Sequence, residues 1–234
     1  MIALGALTGL PAAHAQDASG TETGVTQLKT IVVTGEKMAR SVQNTASSVE
    51  VITSDDIEKD TDAQHVDDVL RDVPNVLYSD TVSAPVIRGM DGQGSNFGSG
   101  AFFGGTVPRA RINVDGHNLG FWETVFGTTS IWDVDTIEVF RGPQTTTQGA
   151  NSIAGAIMVN TKDPTFTSEN AAQVEYGSGG NKRASVMFSG PLVEDELAAR
   201  FTLDYSGRNT FIDYINSSYT KGATDTDFES LNGR

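Results

Sequence analysis

The chain has no cysteine among its 234 residues, which excludes disulfides, thiolate metal sites and cysteine nucleophiles. Basic residues are also scarce: 16 Lys and Arg stand against 30 Asp and Glu, giving a formal net charge of −14. Because binding to a phosphate backbone depends on clustered Lys and Arg, we predict that the chain does not bind nucleic acid. Beyond the N-terminus, no apolar run approaches the roughly 18 to 20 residues that a spanning helix requires. We therefore expect any membrane span to consist of strands.

Signatures of catalysis are missing as well. The chain contains neither a G-x-S-x-G elbow nor an H-E-x-x-H motif. Its glycine-rich segment 91–105 misses the G-x-G-x-x-G spacing by one residue and lacks a Walker lysine. His65 and His117 have no neighbouring set of ligand-type residues in the sequence. We predict no catalytic residue, no metal site and no cofactor, and hence a protein that is not an enzyme.

The N-terminus has the composition of a targeting segment. Residues 2–13 are small and apolar, and Ala13, His14 and Ala15 form an A-x-A pattern that suits cleavage after Ala15. We predict a signal peptide over residues 1–15. No positively charged n-region precedes it, so either its start is truncated or the segment is a simple apolar N-terminus. Residues 16–27 contain too little apolar surface to offset the entropy lost on ordering. Residues 16–47 are therefore expected to form a flexible arm.

The most informative stretch is 133–164. Ile137 and Val139 alternate with polar neighbours, as do Ile157 and Val159, which is typical of strands with one buried face. An Arg-Gly-Pro corner ends the first strand, because proline cannot donate to a ladder. Small residues fill the return, so another part of the molecule can pack close to this backbone. An ordinary β-hairpin of a globular domain is the alternative.

These motifs, in this order, resemble the end of the plug domain of TonB-dependent outer-membrane receptors. The matching segments are IEVFRGP (137–143), QGANSIAGAI (148–157) and NTKDP (160–164). Three further landmarks of the family precede them, namely a DVL..VPNV helix-and-stop (68–76), an IRG corner (87–89) and a VDG turn (114–116). The resemblance implies an α+β plug domain over residues 48–164, with a small mixed sheet and short helices.

After Pro164 the pattern changes to successive antiparallel strands, predicted over 171–177, 182–190 and 196–207. In the third, apolar residues alternate with polar ones, as a lipid-embedded barrel strand requires, although a soluble sandwich would alternate similarly. The resemblance assigns residues 165–234 to the start of a transmembrane β-barrel. The polar stretch 208–233 is predicted to be a long surface loop without a further strand. Since three strands cannot close a barrel, we expect the sequence to be a fragment.

The segment KTIVVTG at 29–35 is β-prone and lies on the predicted arm. It is either a first edge strand or, as the resemblance implies, the TonB box. An extended peptide can add to the edge of a partner's sheet through backbone hydrogen bonds, which fits such a role. The residues assigned to TonB binding are Thr30, Ile31, Val32, Val33 and Thr34.

Two corner arginines, Arg88 and Arg141, occupy positions whose family equivalents pair with glutamates on the inner barrel wall. Together with Glu138 they are the predicted plug-to-barrel gate, whose barrel partners would follow Arg234. Pairs of this kind are costly to break singly, which suits a gate that stays shut until pulled. Ordinary surface arginines are the alternative.

Loops after the IRG and VDG strands form the apex of the plug in the family and face the ligand. Aromatic side chains with few charges suit contact with a large amphipathic ligand, or else pack against the barrel wall. The predicted ligand contacts are Phe97, Phe102, Phe103, Arg109, Phe121, Trp122 and Phe126.

The resemblance thus implies a receptor in the outer membrane of a Gram-negative cell, with the plug inside the barrel and a periplasmic N-terminus. Its implied partners are TonB, outer-membrane lipid and a scarce small-molecule nutrient, most often a ferric siderophore. The alternative is a soluble periplasmic plug-like binding module without transport. Outward-facing Leu197, Phe201 and Leu203 separate the two, since a soluble module would have to cover them.

Overall fold

The structure, a computed structural model, describes residues 31–78, 84–94, 107–209 and 228–234. Its helices and strands, in chain order, are β1 Val32–Val33, β2 Arg40–Ser41, β3 Val49–Thr53, α1 Ser54–Ile57, α2 Val66–Arg71, β4 Val76–Leu77, β5 Val86–Ile87, β6 Ala110–Val114, β7 His117–Asn118, α3 Phe121–Phe126, β8 Val134–Phe140, β9 Gly155–Thr161, β10 Glu169–Tyr176, β11 Lys182–Val193, β12 Leu197–Arg208 and β13 Phe228–Gly233.

The first sheet has five strands in the order β3-β8-β9-β6-β7. The β6–β9 pair is parallel and the other pairs are antiparallel, so the sheet is mixed, as predicted. Ile137 and Val139 on β8, with Ile157 and Val159 on β9, are fully buried in the core against the helices. The period-two pattern of 133–164 therefore gave the two central strands correctly.

Two short helices cover this core. Thr53 and Asp56 form a capping box at the start of α1, with the Thr53 hydroxyl 2.7 Å from the Asp56 carboxylate. In α2, Val66, Val69 and Leu70 are buried and form its apolar face. None of the helices within the described ranges has the length and apolar character needed to cross a membrane.

Backbone corners of the first sheet follow the predicted turn chemistry. Asp115 and Gly116 turn β6 into β7 with φ of 47° and 86°, values that favour Gly and Asp or Asn. At Gly155 a Cβ atom would collide with the carbonyl oxygen of Phe140, so β9 can approach β8 this closely only because residue 155 is glycine. This close approach confirms the prediction made for the small-residue return.

The second sheet has four antiparallel strands in the order β10-β11-β12-β13. One face is polar and turned inward; its buried residues are Arg183, Ser185, Ser189, Thr202, Asp204 and Ser206. Its other face is apolar and exposed: Val174 is 84% exposed, Tyr176 85% and Phe201 53%. The predicted inside-out alternation is confirmed, and exposed Leu197, Phe201 and Leu203 are left uncovered by the described residues.

The prediction of a strandless loop over 208–233 was wrong, because β13 (Phe228–Gly233) pairs with β12. The polar residues Ser230 and Asn232 lie partly buried on the inner side of this strand, whereas apolar Leu231 is 69% exposed on the outer side. A strand with a polar inner face has little hydrophobic signal. The free edge of β12, rather than the composition of the segment, accounts for the strand.

Candidate functional site

The segment carrying the predicted TonB box forms a small hairpin, which we call the N-terminal hairpin (residues 31–41). β1 pairs with β2 in the register Val32↔Ser41 and Val33↔Arg40. Its turn closes through the Lys37 amide, which donates to the Thr34 carbonyl at 2.9 Å, with Lys37 at a φ of 60°. The hairpin is therefore a formed element of the described chain.

One side chain of β1 anchors the hairpin by apolar burial. Val33 is 0% exposed and packs in a cluster with Val49, Phe140 and Ala156, whereas Ile31 and Val32 are each 43% exposed. The opposite burial of Val32 and Val33 follows the alternation of side chains along a strand, and Ile31 lies just before β1. Only one valine of the predicted box thus contributes to the core, while its neighbours face outward.

Glu138 holds the next two residues of the hairpin through its carboxylate. This side chain is 0% exposed and comes from β8, the second strand of the first sheet. Its Oε1 accepts from the Thr34 amide at 2.8 Å and from the Thr34 hydroxyl at 2.6 Å, and its Oε2 accepts from the Gly35 amide at 2.8 Å. Hydrogen bonds to an ionised acceptor are about twice as strong as neutral ones, so three on one carboxylate fix the segment firmly.

Gly35 fits this site because it has no side chain. A Cβ atom there would lie 2.5 Å from the Phe140 ring and 2.9 Å from Met158. Its carbonyl also accepts a hydrogen bond from the Gln148 side-chain amide. Two side chains, Glu138 on β8 and Gln148 in the loop before β9, therefore hold Gly35 on its amide and its carbonyl.

Of the residues assigned to TonB binding, Thr30 lies outside the described residues. Val32 and Val33 form a two-residue strand, so the edge-strand alternative describes their structure, although their partner is the hairpin's own second strand. Thr34 is tied to Glu138. The TonB-binding role itself stays a prediction.

The predicted gate residues divide into two places. Arg141 Nη1 lies 3.2 Å from the Glu50 carboxylate and 3.2 Å from the Pro74 carbonyl, while its buried Nε has no partner among the described atoms. Arg88, at φ 51°, brings its Nη1 within 3.9 Å of the position of a Cβ on Gly142, so the two corners meet. Glu138 lies with the hairpin instead. The pairing of Arg88 and Arg141 with barrel glutamates stays a prediction, as does the gate role of Glu138.

Contact between the two sheets is built on charged side chains of the second sheet. Asp204, 2% exposed, accepts from Arg183 Nε at 2.8 Å, from the Ser185 hydroxyl at 2.5 Å and from the Ser130 hydroxyl at 2.6 Å. Ser130 belongs to the segment that leads into β8. The Asp204 carboxylate therefore joins β11 and β12 of the second sheet to the segment before β8 of the first sheet.

A second ion pair crosses the same boundary. Arg200 binds Asp133 in a bidentate manner, with Nε to Oδ2 at 2.6 Å and Nη2 to Oδ1 at 2.5 Å, and both side chains are at most 7% exposed. Nearby, Trp132 Nε1 donates to the Val186 carbonyl at 3.2 Å. These contacts were not predicted from the sequence. The signal that indicates them is a charged residue at an inward position of an alternating strand, as at Arg200 and Asp204.

Helix α2 contributes the only cluster of metal-ligand side chains found among the described residues. His65, Asp67 and Asp68 offer ligand atoms within 4.8 Å of one another, so the view that His65 has no such neighbours was wrong. Asp68, however, is the third residue of α2 and completes a capping box with the N-cap His65, accepting from the amides of Gln64 at 3.1 Å and His65 at 3.0 Å. Burial acts to raise the pKa of Asp68, but these bonds and the His65 ring outweigh it and lower the pKa to about 2.

The predicted ligand contacts are only partly within the described residues. Phe121 and Trp122 begin α3 and meet edge to face, with ring centroids 5.8 Å apart, and Trp122 is 49% exposed. Arg109 is half-buried beside β6. Phe97, Phe102 and Phe103 lie outside the described residues; for Phe126 only the helical backbone is described. Their ligand-binding role stays a prediction.

A cavity of about 320 Å³ separates α1 from the second sheet. Its walls carry both basic and acidic side chains. Lys162 and Arg200 are basic, and Glu58, Asp60 and Glu169 are acidic. Lys162 lies 3.8 Å from Glu58, so part of this charge is already paired. Arg183, Asp133 and Glu175 also line the cavity, so its walls carry three basic and five acidic side chains.

Comparison with known proteins agrees with this architecture. Residues 41–156 match the family model described as TonB-dependent Receptor Plug Domain. The chain is 33% identical over 192 residues to the iron-regulated outer membrane virulence protein of Vibrio cholerae, covering 77% of this chain and 27% of the relative. It is 26% identical to the ferripyoverdine receptor of Pseudomonas aeruginosa, covering 78% of this chain and 21% of the relative.

Solved structures extend the likeness to the second sheet. The ferric yersiniabactin uptake receptor of Yersinia pestis superposes with a TM-score of 0.64 at 22% identity, covering 83% of this chain and 28% of that chain. The chain spans about a quarter of the length of the curated relatives that it matches. The family is one of transport receptors. We conclude that the chain belongs to the family of TonB-dependent receptors, with its plug domain matched over residues 41–156.

Proposed function

We propose that the chain is the plug and first barrel strands of an outer-membrane receptor that takes up iron bound to a siderophore. The observation that carries this proposal is the two-faced second sheet. Its inner face binds the plug through Arg183, Arg200 and Asp204, while its outer face exposes Val174, Tyr176 and Phe201. Apolar side chains that face away from a polar, plug-binding interior suit contact with lipid.

The nutrient is proposed from the relatives. Their names specify an iron-regulated outer-membrane protein, a ferripyoverdine receptor and a probable siderophore receptor. Half-exposed Trp122 offers an aromatic surface of the kind that a large amphipathic ligand can contact. We assign ligand contact to this surface and to the other aromatic residues predicted from the sequence.

Energy for transport is proposed to come from TonB, which binds the β-prone box at residues 30–34. Val32 and Ile31 are exposed on the docked hairpin and offer a first contact. Strand addition through backbone hydrogen bonds requires free amides along the box. In this proposal the N-terminal hairpin lies on the periplasmic side of the plug. The outer face of the second sheet contacts lipid.

The proposal is tested by replacing Val32 with Pro in the full-length protein in its native host. Proline removes one amide and fixes φ, so it disfavours strand addition. We expect uptake of radioactive iron from the host's own iron-starved culture medium to be lost, while binding of the same iron to de-energised cells is unchanged. Val32→Thr, which keeps the amide and the β propensity, is the matched control. Normal uptake by the proline variant would contradict the assignment of the box.

The alternative, a soluble periplasmic module without transport, is favoured by no observation of the second sheet. Fractionation distinguishes it directly, since a soluble module would leave the membrane fraction on washing with carbonate. We expect the protein to remain with the outer membrane.

A further inference from the structure

Glu138 occupies a position in which a carboxylate is hard to explain by the sheet alone. It lies on β8 between buried Ile137 and Val139 and is itself 0% exposed. The hydrogen bonds described for it all come from the N-terminal hairpin, from Thr34 and Gly35. Since a buried charge without partners is costly, the hairpin and the carboxylate stabilise one another.

The groups that Glu138 binds are also those that a partner strand would need. Strand addition uses the backbone amides of the added peptide. The amides of Thr34 and Gly35 are both donated to Glu138, the side chain of Val33 is buried under Phe140, and one edge of β1 is paired with β2. Only Ile31 and Val32 remain exposed in the docked state.

We propose that Glu138 is a latch, a positioning residue whose docked state and the partner-bound state of the box exclude one another. The inference rests on the proposed function and deepens it by naming what regulates access to the box. A partner that binds only the undocked hairpin has its apparent affinity reduced by the undocked fraction. Weakening the latch increases the undocked fraction. The apparent affinity for the partner then rises by the same factor, until every hairpin is undocked.

Gly35 supplies an independent way to weaken the same latch. A methyl group there would lie 2.5 Å from the Phe140 ring, so Gly35→Ala opposes docking by a steric clash and leaves β8 unchanged. Glu138→Gln keeps the shape of the side chain and removes the charge that strengthens its hydrogen bonds. The two variants act from opposite sides of one contact.

The matched control is Glu50→Gln on the neighbouring strand β3. Glu50 pairs with Arg141 at 3.2 Å and does not bind residues 31–35 in any described contact. This substitution removes a carboxylate of the first sheet and an ion pair, but leaves the latch in place. Glu138→Asp tests rescue, because it restores the charge on a shorter side chain and should fall between Glu138→Gln and the parent protein.

The experiment has two readouts on the purified full-length protein. For the first, Val33→Cys places a thiol at a buried position where the described chain has no other cysteine, and its labelling by fluorescein maleimide reports undocking. For the second, proteins without that cysteine are titrated with the isolated periplasmic domain of TonB. We expect Glu138→Gln to speed labelling by about tenfold, because its hydrogen bonds lose their charge assistance, and Gly35→Ala to speed labelling through its clash with Phe140. TonB affinity should rise by the same factor, with Glu50→Gln unchanged.

Each outcome decides the matter. Faster labelling together with tighter binding in both variants supports the latch. Unchanged labelling in both variants overturns it, as does faster labelling with unchanged affinity for TonB. If neither the parent protein nor any variant binds the TonB domain, the proposed function fails. The labelling rates then still decide whether Glu138 holds the hairpin.

Discussion

The N-terminal hairpin and the second sheet both rest on the plug, but they are held by different chemistry. The hairpin is fixed by one buried valine and by backbone amides that converge on a single carboxylate, Glu138. The second sheet is fixed to the plug by the buried ion pair of Arg200 with Asp133 and by the Ser130 hydroxyl, which donates to buried Asp204 beside Arg183.

This difference determines which contact opens first. Releasing the hairpin exposes one valine and one carboxylate, whose three hydrogen bonds water can replace. Releasing the second sheet breaks the bidentate Arg200–Asp133 pair together with the hydrogen bonds from Ser130 to Asp204 and from Trp132 to the Val186 carbonyl, so more contacts must break at once. We therefore expect the hairpin to undock while the plug stays on the second sheet.

The largest expected effect comes from breaking the second contact. Asp204→Ala leaves Arg183 buried without its carboxylate, and we expect a loss of about 3 to 5 kcal/mol in the free energy of unfolding. Chemical denaturation of the full-length protein measures this loss. Asp204→Ala combined with Arg183→Met removes both charges and should recover most of it. Equal losses in the single and double variants would contradict a paired interaction, and exposed Asp135→Ala is the control.

Acid should weaken the same side of the plug through helix α2. His65, which contacts Ser206 of the second sheet at 3.1 Å, is held by the cap at Asp68. The folded pKa of Asp68 is about 2 and its unfolded pKa about 3.9, so its contribution is complete above roughly pH 5 and disappears as the pH falls to about 2.

For Asp68 the difference amounts to about 2 kcal/mol, by the linkage between pKa and stability. We expect Asp68→Asn to lower stability at pH 7 by about that amount and to flatten its fall between pH 5 and pH 2. Denaturation midpoints of the parent and variant across this range check the prediction. Parallel pH curves would show that Asp68 does not account for the acid sensitivity.

The smallest effect is expected at the exposed rim of the second sheet. Lys182 and Glu229 pair at 3.0 Å with side chains 45% and 58% exposed. Exposed pairs of this kind contribute little, because water and salt screen them. Glu229→Gln should leave the thermal midpoint unchanged at physiological salt. A clear drop would mean that exposed and buried ion pairs hold this sheet alike.

Sequence patterns predicted the parts of the fold that depend on local chemistry. Alternation predicted β8 and β9, and the VDG motif predicted the turn after β6 at Asp115 and Gly116. The contact of Glu138 with Thr34 was not predictable in this way, because the two residues are 104 positions apart in the chain. β13 was missed because its inner face is polar and its pairing depends on the edge of β12.

Amide hydrogen exchange compares the two contacts directly in one experiment on the full-length protein. In the parent protein, we expect the amides of Thr34 and Gly35 to exchange more slowly than in an unstructured peptide but faster than those of Thr202 to Ser206 on β12. Glu138→Gln should speed exchange at Thr34 and Gly35 only. If these two amides already exchange at the unstructured rate in the parent protein, or if the variant speeds both regions together, the separate release of the hairpin is contradicted.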